Sequence, residues 1–243
     1  FAKKVFTIFP DLKVYVNRPL EIGKFFPNAE RIESTDELSF LKGVSSKLPS
    51  SVSGDSDIDE VFFAYFVGIY PLLDILLTKE LLSRHKKYLA QYSYSENLPH
   101  GIVPIFLSRE FVQSLPIVLD TSAHEYLLKN INNFDVEIFY SPPDLRQYRL
   151  DFTLGDTRSR IISNLLLQEK KDANYLEILP ILKDKPAIFR CAPSYFEFEI
   201  FRGCLYKCSF CPRQFISNDS DGQMLTRAFI EKFLEESKNA FQS

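Results

Sequence analysis

Residues 61–77 (VFFAYFVGIYPLLDILL) are an apolar stretch, and what they can become limits what the rest of the chain can be. A membrane-spanning helix needs about 20 predominantly apolar residues with few or no charges. This run is shorter and is interrupted by Gly68, Pro71 and Asp74. A strand over 60–67, a turn at Gly68–Pro71 and the start of a helix fit it better. The strand lacks polar–apolar alternation, which predicts apolar cover on both faces.

The flanking segments extend this pattern. Ala2–Phe9 reads as a helix and Lys13–Val16 as a short strand. Asp36–Lys47 is an amphipathic helix with Ser34 or Thr35 as candidate N-cap. Leu48–Asp59, rich in Ser, Asp and Gly, is a loop. Ile75–Gln91 is a long helix, Tyr92–Ser95 and Ile102–Leu107 are strands, Ala123–Ile131 is a helix and Val136–Phe139 a strand. Strands alternating with helices predict an α/β domain over residues 1–140, a mainly parallel sheet layered with helices. Residues 141–190 read as a helical connector. It has a turn at Ser141–Asp144, a strand over Tyr148–Thr153, and helices over Arg158–Glu169 and Ala173–Leu182, the second broken at Pro180. Residues 191–243 differ in kind. Tyr195–Phe201 alternates strictly as a strand, a cysteine-bearing loop follows, and Leu225–Ser237 is an amphipathic helix.

Composition removes several function classes. With 45% hydrophobic and 25% charged residues, the chain is no disordered tail or collagen. A net charge of -3 offers no global basic field for nucleic acid. No charged n-region with an apolar h-region opens the chain, so cytoplasmic localisation without a membrane partner is expected. The chain starts at Phe1 and its one methionine is Met224, so a fragment cut at both ends is also expected.

Three of the four cysteines lie in Cys204-Leu-Tyr-Lys-Cys208-Ser-Phe-Cys211. Cysteines that merely fill a core are scattered, and an odd cluster in a large chain without a signal peptide does not suit a disulfide scaffold. The cluster reads as a metal site. Zinc usually takes four Cys or His ligands. Here the histidines are far upstream, and Cys191 lies at the opposite end of the expected strand. Zinc in an interaction module stays open as a reading that needs Cys191. An iron–sulfur cube held by three thiolates leaves one iron free to bind a small molecule.

Cys-x3-Cys-x2-Cys with an aromatic before the last cysteine, after a strand, resembles the signature of radical S-adenosylmethionine enzymes. The string Phe201–Arg213 (FRGCLYKCSFCPR) is similar to members of that superfamily throughout. The resemblance implies that Cys204, Cys208 and Cys211 ligate a [4Fe-4S] cluster. It implies that the open iron chelates S-adenosylmethionine, and that Phe210 lies near the adenine of that cofactor. It also implies a 5′-deoxyadenosyl radical that takes hydrogen from a peptide or small-molecule substrate, and an electron donor such as a flavodoxin or ferredoxin. Residues 191–243 would then begin a (β/α) barrel without closing it. Arg202, Lys207 and Arg213 could offset cluster charge or simply be solvated. Glu197 and Glu199 could face a polar barrel interior.

Upstream, Ile69-Tyr70-Pro71-Leu72-Leu73-Asp74 resembles the Asp-x-Pro-Leu/Phe-x-Asp region of GT-A-type cytidylyltransferases, and Leu98–Val103 (LPHGIV) a later loop of the same families. In active relatives the first acidic residue binds a divalent metal, a role Ile69 cannot fill. The resemblance implies a degenerate domain, with a working nucleotidyltransferase as the alternative. Joined to Pro143-Asp144-Leu145-Arg146 and Cys211-Pro-Arg-Gln214, the combination is most similar to the spiro-SPASM proteins. Arg84–Lys87 reads as a solvated helix face. Asp55, Asp57 and Asp59 lack the glycine and terminal glutamate of a calcium loop.

Overall fold

The computed structural model describes residues 1–10, 12–17, 26–48, 61–185, 197–203, 206, 208–211 and 222–237. In chain order, α1 (Ala2–Ile8) is followed by β1 (Tyr15–Val16), β2 (Glu30–Arg31), α2 (Glu37–Lys47) and β3 (Phe62–Tyr65). Next come α3 (Ile75–Lys87), β4 (Tyr92–Ser95), β5 (Ile105–Ser108), α4 (Arg109–Ser114), α5 (Ala123–Lys129) and β6 (Val136–Phe139). The last elements are α6 (Thr157–Glu169), α7 (Tyr175–Lys183), β7 (Phe201–Arg202), β8 (Gln223–Met224) and α8 (Arg227–Ser237). The chain divides into two compact units, Phe1–Phe189 and Arg190–Ser243.

The first unit is a mixed α/β structure. Its main sheet has the order β3-β5-β4-β6. Strands β3, β4 and β6 point one way, and β5 runs antiparallel to both β3 and β4. The predominantly one-way sheet is as expected, with β5 as the reversed member.

The period-2 geometry of strands sorts the side chains onto two faces. Phe62 and Ala64 of β3, Phe106 of β5 and Phe139 of β6 pack into one cluster with Leu72 and Leu81 and with Ile162, Leu166, Ile178 and Leu182 of α6 and α7. Phe63 and Tyr65, Tyr92 and Tyr94, Ile105 and Leu107 pack into the other, with Leu41, Phe111, Val112 and Leu127. The expected two-sided cover of β3 is therefore present. Its residues remain half-buried because β3 ends the strand order among the described residues. Residues 145–182, read from sequence as a connector, supply much of the first cluster.

Several boundaries differ from expectation for identifiable reasons. The cap of α2 is Asp36 rather than Ser34 or Thr35, and its carboxylate accepts the Ser39 N–H at 2.7 Å. Helix α3 stops at Lys87 instead of Gln91, because Leu89 adopts a left-handed conformation (φ 51°) and Gln91 leads directly into β4. Strand β5 starts at Ile105 rather than Ile102, whose carbonyl instead accepts the Asp74 N–H at 2.8 Å. Tyr148–Thr153 is not a strand: a 3-10 turn at Arg146–Tyr148 ends in left-handed Arg149, leaving one bridge between His100 and Asp151. Helix α7 continues through Pro180, which lies on the solvent side where a lost backbone bond is least costly.

In the second unit, the expected strand Tyr195–Phe201 contracts to β7, while Tyr195 and Phe196 lie outside the described residues. Strand β7 pairs antiparallel with β8, so a short return strand precedes α8. The Ile200 carbonyl accepts the Leu225 N–H at 2.8 Å, and the Phe198 and Phe233 rings meet edge-on at 5.0 Å. Among the described residues no helix is long and apolar enough to cross a membrane.

Candidate functional site

The cysteine loop leaves β7 through Gly203, whose φ of 152° is a backbone conformation that L side chains rarely adopt. Cys204 and Cys191, like Lys207 and Arg213, lie outside the described residues. Cys208 and Cys211 share one tight turn, closed by the Cys211 N–H donating to the Cys208 carbonyl at 3.0 Å. Both are free thiols and half-buried. Two uncommitted thiols on one turn suit neighbouring ligand positions on a metal or cluster, and the third thiol expected with them is not described. Among the described residues no group of three or more Cys, His, Asp or Glu side chains converges to hold a metal. Phe210, placed by resemblance near adenine, is 87% exposed, and Tyr206 is 79% exposed. Arg202, Glu197 and Glu199 are exposed as well.

The upstream motif has a structural centre at Asp74. It is buried, and its Oδ1 accepts the N–H groups of Leu76 and Leu77 at 3.0 and 3.1 Å, capping α3. Its Oδ2 accepts the Tyr175 N–H at 2.9 Å, at the first residue of α7. One carboxylate thus serves two helix N-termini, where the aligned backbone dipoles favour negative charge. Ile69 is 40% exposed and carries no metal-binding group.

The other motif borders a cavity of about 250 Å³. Tyr94, Ser95 and Glu96 line it from the C-terminal end of β4, Leu98 to His100 from the next loop, His124 from α5, and Leu145, Arg146, Arg149 and Leu150 from beyond β6. Sites in open α/β sheets lie outside the carboxyl ends of the strands. The loops after β4 and β6 are joined here by Asn97. Its buried amide donates to the Ser141 carbonyl at 2.6 Å and accepts the Ser141 N–H at 3.0 Å. Glycine is required at Gly101 because its φ is 95° and a Cβ there would meet the Phe152 backbone at 2.6 Å.

Charge in the cavity is unevenly matched. Arg146 binds Asp144 through Nε and Nη2, the latter at 2.6 Å, and reaches Glu96 at 3.2 Å through Nη1. Hydrogen bonds from Arg146 hold the Asp144 carboxyl down at about 2. His124 shares a 3.1 Å hydrogen bond with the Tyr92 hydroxyl, and burial lowers its pKa, with His100 adding to the effect. Burial raises the pKa of Tyr92 and keeps the phenol protonated. Sequence reasoning marked His100 within a motif and Arg146 within another, but it missed Tyr94, Glu96, His124 and Arg149. They come from separate segments that only the sheet order brings together.

No family model matches the chain, and no curated protein is significantly similar to it. Among solved structures, it is similar to that of a cytidylyltransferase from Leptospira borgpetersenii serovar Hardjo-bovis (strain JB197). The identity is 14% and the TM-score 0.53, over 72% of this chain and 74% of that one. At that identity the likeness concerns the fold: a nucleotidyltransferase-like α/β architecture.

Proposed function

We propose that this chain is part of a radical S-adenosylmethionine enzyme of the spiro-SPASM kind, with a degenerate cytidylyltransferase-like domain in front. The observation that carries the reading is the spacing of Cys204, Cys208 and Cys211. The shared turn of Cys208 and Cys211 and their free thiols support it. When bound, a [4Fe-4S] cluster with S-adenosylmethionine supplies reductive carbon–sulfur cleavage and a hydrogen-abstracting radical. The three cysteines hold the cluster as thiolates. Phe210 offers an apolar surface for the adenine. An electron donor such as a flavodoxin or ferredoxin supplies the electron, and the substrate is a peptide or small molecule.

Anaerobic reconstitution of the full-length protein with iron and sulfide tests this reading. A brown protein with equal iron and sulfide is expected, and Cys208→Ser should reduce the iron to background. Cys191→Ser should leave the iron content unchanged. Uptake of zinc without iron, lost on Cys191→Ser, would instead establish the interaction-module reading.

A second reading, nucleotide transfer by the first unit itself, draws on the likeness to a cytidylyltransferase structure. Against it stand Ile69 at the acidic metal position and the full engagement of Asp74 as a cap. Magnesium-dependent binding of CTP, measured by calorimetry, would establish it. The degenerate reading predicts none.

A further inference from the structure

The cavity at the end of β4 carries chemistry that the cysteine reading does not use. Of its two guanidiniums, Arg146 is matched by Asp144 and Glu96. The Arg149 guanidinium has no hydrogen bond or ion pair among the described residues, and it lines the same cavity. A planar guanidinium without a counter-charge, next to one already neutralised, leaves an open fork for a carboxylate or phosphate.

The backbone holds Arg149 in place. It is left-handed (φ 48°, ψ 47°), a conformation that a residue carrying a Cβ rarely adopts. Leu89 and Leu154 share that conformation, so it does not by itself mark a site. At Arg149, however, the conformation is pinned from several sides. The Arg149 N–H donates to the Arg146 carbonyl at 3.0 Å. The Arg158 guanidinium donates to the Arg149 and Tyr148 carbonyls at 2.5 and 3.2 Å. Exposed His100 and partly buried His124 stand on the cavity wall as further polar groups.

We propose that this cavity binds a small molecule through an anionic head group, a phosphate or a carboxylate, received by the Arg149 guanidinium with His100 beside it. At about 250 Å³ the cavity falls below the ~300–1,000 Å³ of ordinary ligand pockets. The ligand is therefore smaller than a nucleoside triphosphate. The proposal is independent of the iron–sulfur reading.

The three histidines provide the readout. His85 is buried against Phe62 and Phe106, away from the cavity, and serves as an internal reference. In the full-length protein, the histidine NMR signals are followed during titration with inorganic phosphate, and separately with acetate, at constant ionic strength. Saturable shifts at His100 and His124 with a fixed His85 signal are expected. Saturation by phosphate alone assigns a phosphate head, and saturation by acetate alone assigns a carboxylate. Arg149→Gly, which suits the left-handed backbone, should preserve folding and weaken binding about tenfold or more. Arg149→Lys, which keeps charge but loses the fork, should weaken it less. No saturable shift with either anion, or shifts unaffected by Arg149→Gly, would overturn the proposal.

Discussion

Helices α3 and α8 are both amphipathic, yet they are used very differently. Helix α3 buries Thr78, Leu81 and His85 on one stripe and begins at the Asp74 cap. Helix α8 has Phe229, Phe233 and Leu234 along its length, but none of its described residues is buried, and Phe229 and Leu234 are each 51% exposed. Its start is held more modestly, by the Thr226 hydroxyl accepting the Phe229 N–H at 3.2 Å. Periodicity tells which face of a helix is apolar; what covers that face depends on the neighbouring elements. The first unit supplies α3 with a sheet, while the described part of the second supplies α8 chiefly with Phe198.

The contrast can be tested most strongly by truncating one leucine in each helix. Leu81→Ala removes a fully buried side chain and should cost about 2–5 kcal/mol in denaturant unfolding. Leu234→Ala removes a half-exposed one and should cost less than about 1 kcal/mol. Equal losses would mean that α8 is covered in solution. Next in size is Asp74→Ala, which leaves three backbone N–H groups without their acceptor. A loss of about 2–3 kcal/mol is expected. Asp74→Asn should recover part of it, since its amide oxygen can still accept.

The last effect, just below that of Asp74→Ala, is a pH dependence. Burial lowers the His85 pKa from 6.5 to about 4, and its Nδ1 shares a 2.7 Å hydrogen bond with the Ser93 hydroxyl. The unfolded chain takes up this proton as pH falls through 6.5, and the folded protein does so only near pH 4. Stability should therefore be full above pH 6.5, decline below it, and lose about 2 kcal/mol from this group between pH 7 and pH 5. His85→Phe should flatten the pH profile, at some cost at pH 7 from the abandoned Ser93 hydroxyl. An equally steep profile in that variant would assign the dependence to other groups.

Much of the first unit was legible because local chemistry and tertiary demand agree there. Strand β3, the start of α3, strand β6 and the body of α6 follow directly from apolar pattern and caps. The reversal of β5 was not legible, because strand direction within a sheet leaves no mark on a four-residue segment. Arg149 was not legible either. Its left-handed turn defeats an extended reading of Tyr148–Thr153, and nothing in the residue type signals it. The cysteine motif is an expectation that rests on spacing alone, whereas the cavity required side chains from β4, α5 and the loop after β6 to meet.

The bond from Tyr175 to Asp74 spans 101 residues and sets an order on events during synthesis. At about 5–20 residues per second, Asp74 waits roughly 5–20 s after its own addition before Tyr175 is made. In the last part of that interval, once Phe139 has been added, the sheet face beneath Leu72, Leu81, Phe106 and Phe139 lacks the helices that later cover it. The nascent chain thus carries an exposed apolar surface until α6 and α7 have emerged. That window is where chaperone contact or misassociation would act on this protein.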